Sequence, residues 1–337
     1  MSDQGNYRWA FRVSTDVRRG LGHAKRSKLL ADALGGATLF IDPGYVPEFL
    51  YDGRGGVVQE VNRSSTKKLE QYIFKEKIDA VIVDSYDVTF RLPGIFIAIL
   101  DDFGHVSGYE GAVISSCIDL LDLNGINRNL VPVASGPSYA LVDHRFQPRV
   151  VNRKDRNPCF VIFMGARDSK NVSMLALKGI RSVTLTAPIT IIIGENAKYA
   201  ESLQKAALEY GATVLFGAST EQMNDVFHAA DIVVGAAGLS LLERMVVGVA
   251  NIVVVLAENQ ERLAQYFCSK GAILNAGRFD DPNIIDKIAS LCDELINNDG
   301  MQQSLMERGM ELVDSSGVQR TVAFLSDALV HWQKERK

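Results

Sequence analysis

Short, continuously apolar segments recur along the chain, and each is followed by a turn and then by a segment with helical periodicity. Continuous rather than alternating apolar segments are typical of parallel strands that are covered on both faces. The first half contains six such segments, at 9–14, 37–41, 57–61, 79–85, 95–101 and 112–116. The second half contains six more, at 159–165, 188–194, 212–217, 231–237, 251–257 and 272–277. These two series predict an α/β protein with two Rossmann-like domains and parallel sheets.

Helices are predicted between the strands and at the end of the chain. The clearest helical patterns are AKRSKLLADAL, TKKLEQYIFKEK, KYAESLQKAALEY, TEQMNDVFHAA and LSLLERMVVG. From about Asn283 to Lys337 the pattern predicts two or three helices and no strand. The polar segment QPRVVNRKDRNP, residues 147–158, is the best candidate for a linker, because it is charged and ends in proline.

Composition narrows the class of protein. The 337 residues are 47% hydrophobic and 23% charged, with a net charge of −4. This balance is ordinary for a globular protein and shows no basic excess for nucleic acid. The N-terminal sequence MSDQGNYRW contains no apolar signal segment, and the longest apolar segments are too short to cross a membrane. The four cysteines form no CxxC pair, so we expect neither a zinc site nor a disulfide framework, and a cytoplasmic location.

The first candidate site is the segment TDVRRGLGH, which follows the strand at 9–14. Ligands of open α/β sheets bind beyond the carboxyl ends of the strands, so this segment lies where chemistry is expected. Gly20 and Gly22 permit close backbone approach, and the N–H groups at a helix start attract anions. A nicotinamide-type GxGxxG is absent, because position 25 is lysine. A plain strand-to-helix turn is the alternative interpretation.

His23 stands at the start of the predicted helix and is the candidate general base. The positive end of a helix disfavours the imidazolium, so the ring is expected to stay neutral and able to accept a proton. A capping histidine at the surface is the alternative. Arg26 lies three residues further on the same face. Asp16, Gly20, Gly22 and Arg26 are the candidate substrate-binding residues of this region.

The second candidate site follows the strand at 231–237. A loop of small residues leads into a helix that begins near Leu239 or Ser240, which in outline forms a phosphate cradle. Glu243 lies one turn into that helix, where a carboxylate can accept hydrogen bonds from ribose hydroxyls. The alternative is a solvated glutamate on an amphipathic helix. The residues of this loop are Gly235, Ala236, Ala237 and Gly238.

Two further strand ends carry polar residues. Asn259 and Gln260 follow the next strand in the sequence LAENQ, and their amides suit sugar hydroxyls, although an ordinary polar loop is the alternative. Gly165, Asp168 and Asn171 follow the strand at 159–165, where they either line a cleft or cap a helix.

The adjacent carboxylates of Asp101 and Asp102 suggest a metal site at first sight. Neighbouring residues of an extended strand point to opposite faces, however, and no second ligand pair accompanies them. No metal and no cofactor are therefore predicted.

Several motifs together resemble the PseG-type UDP-sugar hydrolases, which are grouped with MurG-like GT-B proteins. The resemblance covers residues from about 8 to 280. It rests on STDVRRGLGHAKRSKLLADAL, IVDSYDV, SGPSYALVDHRF, FMGARDSKN and GAAGLSLLERMVVGVANIVVVLAENQ.

The resemblance implies a function and an assignment of residues. The family removes UDP from a UDP-diacetamido-trideoxyhexose, a step toward pseudaminic acid, with inversion and without a metal. His23 would be the catalytic base, and Tyr86 would lie near the reacting sugar. The loop 235–240 would hold the diphosphate, Glu243 the ribose, and Asn259 with Gln260 the sugar side.

The resemblance also implies a GT-B fold in which two Rossmann-like domains face a cleft. We expect an N-terminal domain at 1–148 with the sugar side and the histidine, and a UDP-binding domain at 149–320. A C-terminal helix at 321–337 is expected to pack on the first domain. A glycosyltransferase and a non-catalytic sugar-nucleotide binding protein are the alternatives. We expect a monomer or weak dimer that binds a UDP-sugar, with no nucleic-acid partner and no membrane span.

Overall fold

The computed structural model describes residues 7–14, 22–42, 50, 58–60, 67–85, 92–102, 111–115, 131–149 and 157–336. The chain divides into two compact units, which we call unit 1 and unit 2. Unit 1 comprises Met1–Asp143 and Ser316–Lys337, and unit 2 comprises His144–Ser315. Both divisions lie five residues before the boundaries expected from the sequence, at 148 and 320.

The described residues of unit 1 contain a seven-stranded parallel sheet. Its order is β3-β2-β1-β4-β5-β6-β7. The strands are β1 (Trp9–Val13), β2 (Thr38–Ile41), β3 (Val58–Glu60), β4 (Ala80–Asp84), β5 (Phe96–Leu100), β6 (Ala112–Ser115) and β7 (Val133–Ser135). Six of them were expected from the apolar pattern. The seventh, β7, has only three residues, of which the outer two are half-buried, so it leaves no continuous apolar signal.

Side chains alternate between the two faces of the sheet along each strand. Both faces of this sheet are apolar, and helices cover both of them. The helices are α1 (Gly22–Ala33), α2 (Lys67–Glu76) and α10 (Gly317–Lys334). Phe11 packs with Leu30 and Leu325 on the face that α1 and α10 cover. Its neighbour Ala10 packs with Ile73 on the α2 face.

The helix α10 is bound to the rest of unit 1 by both ring and polar contacts. The rings of Trp332 and Phe96 lie 5.9 Å apart, edge to face. Arg320 Nη1 donates to the carbonyl oxygen of Ser138 at 2.8 Å. The segment that ends the described chain is therefore part of the core of unit 1.

The described residues of unit 2 contain a six-stranded parallel sheet in the order β10-β9-β8-β11-β12-β13. The strands are β8 (Phe160–Phe163), β9 (Ile189–Ile193), β10 (Thr213–Phe216), β11 (Ile232–Ala236), β12 (Ala250–Val255) and β13 (Leu274–Arg278). Each coincides, within about two residues, with a predicted segment.

The helices of unit 2 are α3 (Val172–Val183), α4 (Ala200–Glu209), α5 (Thr220–Ala229), α6 (Leu239–Val247), α7 (Glu261–Ser269), α8 (Ile284–Ile296) and α9 (Asp299–Leu312). Two of them, α3 and α7, are additional to the helical patterns named above. The two doubly wound parallel sheets confirm the predicted α/β class.

Strand order locates the functional end of each unit. In unit 1 the order reverses between β1 and β4, and in unit 2 it reverses between β8 and β11. Ligands of open α/β sheets bind beyond the carboxyl ends of the strands at such a reversal. The segments that follow these four strands carry most of the candidate residues.

Replacing Gly317 by alanine is expected to destabilise unit 1. A Cβ at Gly317 would lie 2.1 Å from the carbonyl oxygen of Ala140, and overpacking of this kind costs about 1–3 kcal/mol. Gly309→Ala is the control, because its Cβ would lie at an ordinary 3.5 Å from Met245 and the change raises helix propensity by up to about 1 kcal/mol. Thermal unfolding should show a lower Tm for the first variant alone. An unchanged Tm for Gly317→Ala would contradict the close approach of α10.

Candidate active site

The switch point of unit 1 brings His23 and Asp84 together. Val13, the last residue of β1, is paired with Asp84, the last residue of β4. His23 is the second residue of α1, the helix that follows β1. Because β1 and β4 are neighbours, the start of α1 lies beside the end of β4.

Three side chains on one face of α1 bind the Asp84 carboxylate, which is fully buried. His23 Nδ1 lies 2.5 Å from Oδ1, and Arg26 donates from Nη2 to Oδ1 at 2.6 Å and from Nε to Oδ2 at 2.8 Å. Ser27 Oγ donates to Oδ2 at 2.9 Å. His23, Arg26 and Ser27 are spaced i, i+3, i+4, so one helix turn presents all three side chains to the same carboxylate.

The surroundings of Asp84 favour its ionised form. Burial acts to raise the pKa of Asp84, but the charge of Arg26 and the hydrogen bonds from Arg26 and His23 hold it far below its ordinary value. Arg26 also binds Asp102, with Nη1 at 2.8 and 2.9 Å from its two oxygens. One guanidinium therefore bridges the ends of β4 and β5.

This arrangement gives Arg26 a structural role within unit 1. Each of its donor nitrogens lies on a carboxylate of the protein, since Nε and Nη2 bind Asp84 and Nη1 binds Asp102. The substrate contact expected from the sequence stays a prediction, and the structure shows that this side chain holds two aspartates. The Asp101–Asp102 pair, considered above as a metal site, supplies one of those aspartates.

The hydrogen bond to Asp84 fixes the tautomer of His23. An ionised carboxylate only accepts hydrogen bonds, so Nδ1 carries the proton. Arg26 Nη2 lies 3.2 Å from Nδ1, but both atoms are then donors and form no bond with each other. In the neutral ring the remaining lone pair is on Nε2, the nitrogen that can accept a proton. The ring is 7% exposed, so the alternative of a capping histidine at the surface is wrong.

Several predicted residues of unit 1 lie outside the described residues. These are Asp16, Gly20 and Tyr86. Gly22 is the first residue of α1 and immediately precedes His23.

The loop between β8 and α3 is built around Asp168. Its carboxylate oxygens accept hydrogen bonds from the backbone N–H groups of Val172 at 2.8 Å and Ser173 at 2.9 Å. Asp168 thus caps α3, which was one of the two interpretations of its position. Gly165 adopts a φ of 87°, and Asn171 is also left-handed with a φ of 56°. The Oδ1 atom of Asn171 is buried and has no hydrogen-bond partner among the described residues.

The second loop of unit 2 joins β11 to α6. Gly235 and Ala236 end the strand, while Ala237 and Gly238 form the connection. Leu239 and Ser240 begin the helix, and no side chain caps its start at Gly238. The first N–H groups of an α-helix have no partner within the helix, so this start is suited to an anion.

Glu243 is only 4% exposed. The alternative of a solvated glutamate on an amphipathic helix is therefore wrong.

The two amides after β12 differ in their exposure and hydrogen bonding. Asn259 is exposed in a 3-10 turn over Glu258–Gln260, and Gln260 uses its Oε1 to accept from Leu256 N at 2.9 Å.

Within the described ranges, no group of three or more histidine, cysteine, aspartate or glutamate side chains could hold a metal ion. The helices of that same part of the chain are too short or too polar to cross a membrane.

Comparison with known proteins defines the class of fold. Residues 159–311 match the family model described as glycosyltransferase family 28 C-terminal domain. MurG from Acinetobacter baumannii superimposes with a TM-score of 0.66 at 16% identity, over 95% of this chain and 99% of that one. Anabaena HepE in complex with UDP and glucose gives a TM-score of 0.62 at 12% identity, over 94% and 98%. The fold is that of two Rossmann-like domains of the GT-B type.

Two relatives are similar over most of the sequence. The Bacillus subtilis spore coat polysaccharide biosynthesis protein SpsG is 22% identical over 326 residues, 92% of this chain and 95% of the relative. The UDP-2,4-diacetamido-2,4,6-trideoxy-beta-L-altropyranose hydrolase of Campylobacter jejuni is 23% identical over 286 residues, 77% of this chain and 96% of the relative. The resemblance to PseG-type hydrolases expected from the motifs is confirmed.

Acid should remove the contribution of Asp84 to stability. The folded-state pKa lies below the unfolded value of about 3.9, so this contribution is fully present above that value and is lost as pH falls below it. The free energy of unfolding should fall more steeply from pH 5 to 3 in the wild type than in Asp84→Asn.

At pH 7 that variant should be less stable by about 3–5 kcal/mol, because it breaks a buried ion pair. Asp280→Asn, at an exposed pair with Arg278, is the control and should leave the stability nearly unchanged, because exposed ion pairs contribute little. Parallel pH profiles for the wild type and Asp84→Asn would show that this carboxylate is not the buried anion described here.

Proposed function

We propose that this protein is an enzyme that acts on a nucleotide sugar and hydrolyses a UDP-sugar. The observation that carries the proposal is the His23–Asp84 pair, in which a buried carboxylate fixes the ring with its basic nitrogen at Nε2. This is the arrangement that a general base requires. The similarity to a protein named as a UDP-sugar hydrolase supports the choice of reaction.

In the proposed reaction, His23 Nε2 removes a proton from a water molecule as the water oxygen attacks the anomeric carbon. A bond forms from that oxygen to the carbon, and the bond from the carbon to the phosphate oxygen breaks. UDP leaves with the electron pair, and a single displacement inverts the anomeric centre. Asp84 stabilises the imidazolium that forms, since it is ionised and bound to Nδ1.

Unit 2 is proposed to bind UDP. The start of α6 and the loop at 235–240 would meet the negative charge of the diphosphate through backbone N–H groups, as the family resemblance implies for a reaction without a metal. The buried Glu243 would accept hydrogen bonds from the ribose. Asn259 and Gln260 would contact the sugar side, and Asp168 would hold the loop of Gly165 and Asn171 in place.

Three residues of the proposed site, Asp16, Gly20 and Tyr86, rest on the sequence motifs alone, and Tyr86 is assigned to the reacting sugar. The substrate class proposed is a UDP-diacetamido-trideoxyhexose, as used in the biosynthesis of pseudaminic acid-type sugars. Two glycan-related relatives support this choice, one named for spore coat polysaccharide and one for the hydrolase.

A glycosyltransferase is the second candidate, and the family 28 match over residues 159–311 favours it. The two reactions differ in the acceptor, which is water in one and a hydroxyl of a sugar or lipid in the other. Release of UDP without any added acceptor identifies a hydrolase, whereas release that requires an acceptor identifies a transferase. Binding without turnover under both conditions would identify a non-catalytic sugar-nucleotide binding protein.

Replacing His23 by asparagine should lower the rate of UDP release by a factor of about 10² to 10⁴, the range that a general base contributes. In the wild type, oxygen from ¹⁸O-labelled water should appear on the sugar carbon and not on phosphate. The measurement is UDP release together with mass spectrometry of both products.

His228→Asn is the matched control, because this histidine lies in α5 and binds the backbone of Gln147. It should leave the rate unchanged. Near-wild-type turnover by His23→Asn would show that the imidazole is not the general base. Label on phosphate would show that water attacks phosphorus and not the anomeric carbon.

Replacing Glu243 by glutamine should weaken the binding of UDP about tenfold or more, because a hydrogen bond to a charged group is worth about 1.5–3 kcal/mol. The loss should be smaller for 2′-deoxy-UDP, which lacks one of the hydroxyls. Isothermal titration calorimetry with both nucleotides measures the difference.

Glu221→Gln changes an exposed carboxylate of unit 2 that binds Arg145, and it should alter neither affinity. Equal losses for UDP and its deoxy analogue would assign Glu243 to packing rather than to the ribose.

A further inference from the structure

Arg244 is a fully buried cation that the proposed reaction has not yet used. It follows Glu243 in α6 and has no measurable exposure. Its Nη2 donates to the carbonyl oxygen of Ala236 at 2.9 Å, whereas Nε and Nη1 are buried without a hydrogen-bond partner among the described residues. Arginine is rarely buried in this way unless it is paired.

Gly235 provides the space that this guanidinium occupies. A Cβ at position 235 would lie 1.8 Å from Arg244 Nη1 and 2.8 Å from the carbonyl oxygen of Phe163. Phe163 and Gly235 are register partners at the ends of β8 and β11. The positive charge therefore lies beneath the switch point of unit 2, and a side chain at 235 would displace it.

The hydrogen bond to Ala236 determines the direction of the next peptide group. A trans peptide is planar, so its C=O and N–H point in opposite directions. The Ala236 carbonyl points to the guanidinium, and hence the N–H of Ala237 points away from it. A cation on the carbonyl side polarises the peptide and strengthens its N–H as a donor to an anion.

Burial at this position is costly, which argues that the charge serves a purpose. Desolvation lowers the pKa of Arg244 to about 9, and the carboxylate of Glu243 acts in the opposite direction. A hydrophobic side chain of similar volume would avoid that cost.

We infer that Arg244 is a positioning residue for the diphosphate group of the substrate. It does not touch the ligand but holds the Ala236–Ala237 peptide and places a positive charge behind the loop at 235–240. In the low dielectric of the protein interior this charge favours a diphosphate over an uncharged ligand. The inference rests on the proposed function, because it takes unit 2 as the part that binds UDP.

The test compares the affinities of UDP and uridine in the wild type and in Arg244→Met, which keeps an unbranched side chain and removes its charge. Arg244→Met should lower the preference for UDP over uridine about tenfold and change uridine binding by less than twofold. Arg244→Lys, which keeps the charge, should restore most of the preference. A residue needed only for packing would weaken both ligands equally and leave the ratio unchanged.

Arg181→Met is the matched control. This arginine is also buried in unit 2, but its donors lie on the backbone carbonyls of Thr184, Ala187, Tyr210 and Gly211. It should lower the Tm and leave the ratio of the two affinities unchanged.

An unchanged ratio in a folded Arg244→Met overturns the inference. If that variant does not fold, Arg244→Gln supplies a neutral side chain that keeps a donor for Ala236, and an unchanged ratio there overturns the inference equally. A wild-type protein with no preference for UDP over uridine would instead overturn the assignment of UDP to unit 2. A preference in the wild type that survives in both neutral variants would leave the proposed function standing and remove Arg244 alone.

Discussion

The structure of unit 1 depends on one buried anion, the carboxylate of Asp84. Removing this group from water is unfavourable, and the charge of Arg26 and four hydrogen bonds from α1 offset that penalty. The same contacts attach the first two turns of α1 to the end of β4 and determine which nitrogen of His23 carries a proton. In the proposed reaction, stability and reactivity therefore have a common origin, since a change at Asp84 would alter both.

The buried arginines Arg12, Arg26 and Arg244 have different kinds of hydrogen-bond partner. In unit 1, Arg12 is bound to Asp42 at 2.7 Å and Arg26 to two aspartates, so each cation faces a carboxylate. In unit 2, Arg244 is bound to a backbone carbonyl. A cation bound to a carboxylate contributes little field at a distance, whereas a cation whose hydrogen bond goes to a peptide carbonyl is neutralised less. We associate the first pattern with the residue proposed to transfer a proton and the second with the loop proposed to hold an anion.

The sequence predicted the strands well because buried parallel strands are continuous apolar segments. It made His23 a candidate because Gly20 and Gly22 precede this residue in the sequence. It did not predict the partner of His23. Asp84 is 61 residues away, and its proximity follows from the adjacency of β1 and β4, which local patterns do not encode. The aspartates that bind Arg26 escaped prediction for the same reason, since they lie at or just beyond the ends of other strands. Asp168 could be interpreted as a cap or as a ligand, and the fold shows the capping hydrogen bonds to Val172 and Ser173.

The return of α10 to unit 1 has a consequence for how the polypeptide is made. Leu325 and Leu329 complete the core beside Phe11, yet they leave the ribosome after all of unit 2. Unit 2 is one uninterrupted stretch and can assemble as soon as it has emerged, while the earlier part of the chain must wait with an apolar sheet face uncovered. The usual order of folding, in which the N-terminal domain folds first, would thus be reversed, and apolar surface exposed during the delay favours aggregation.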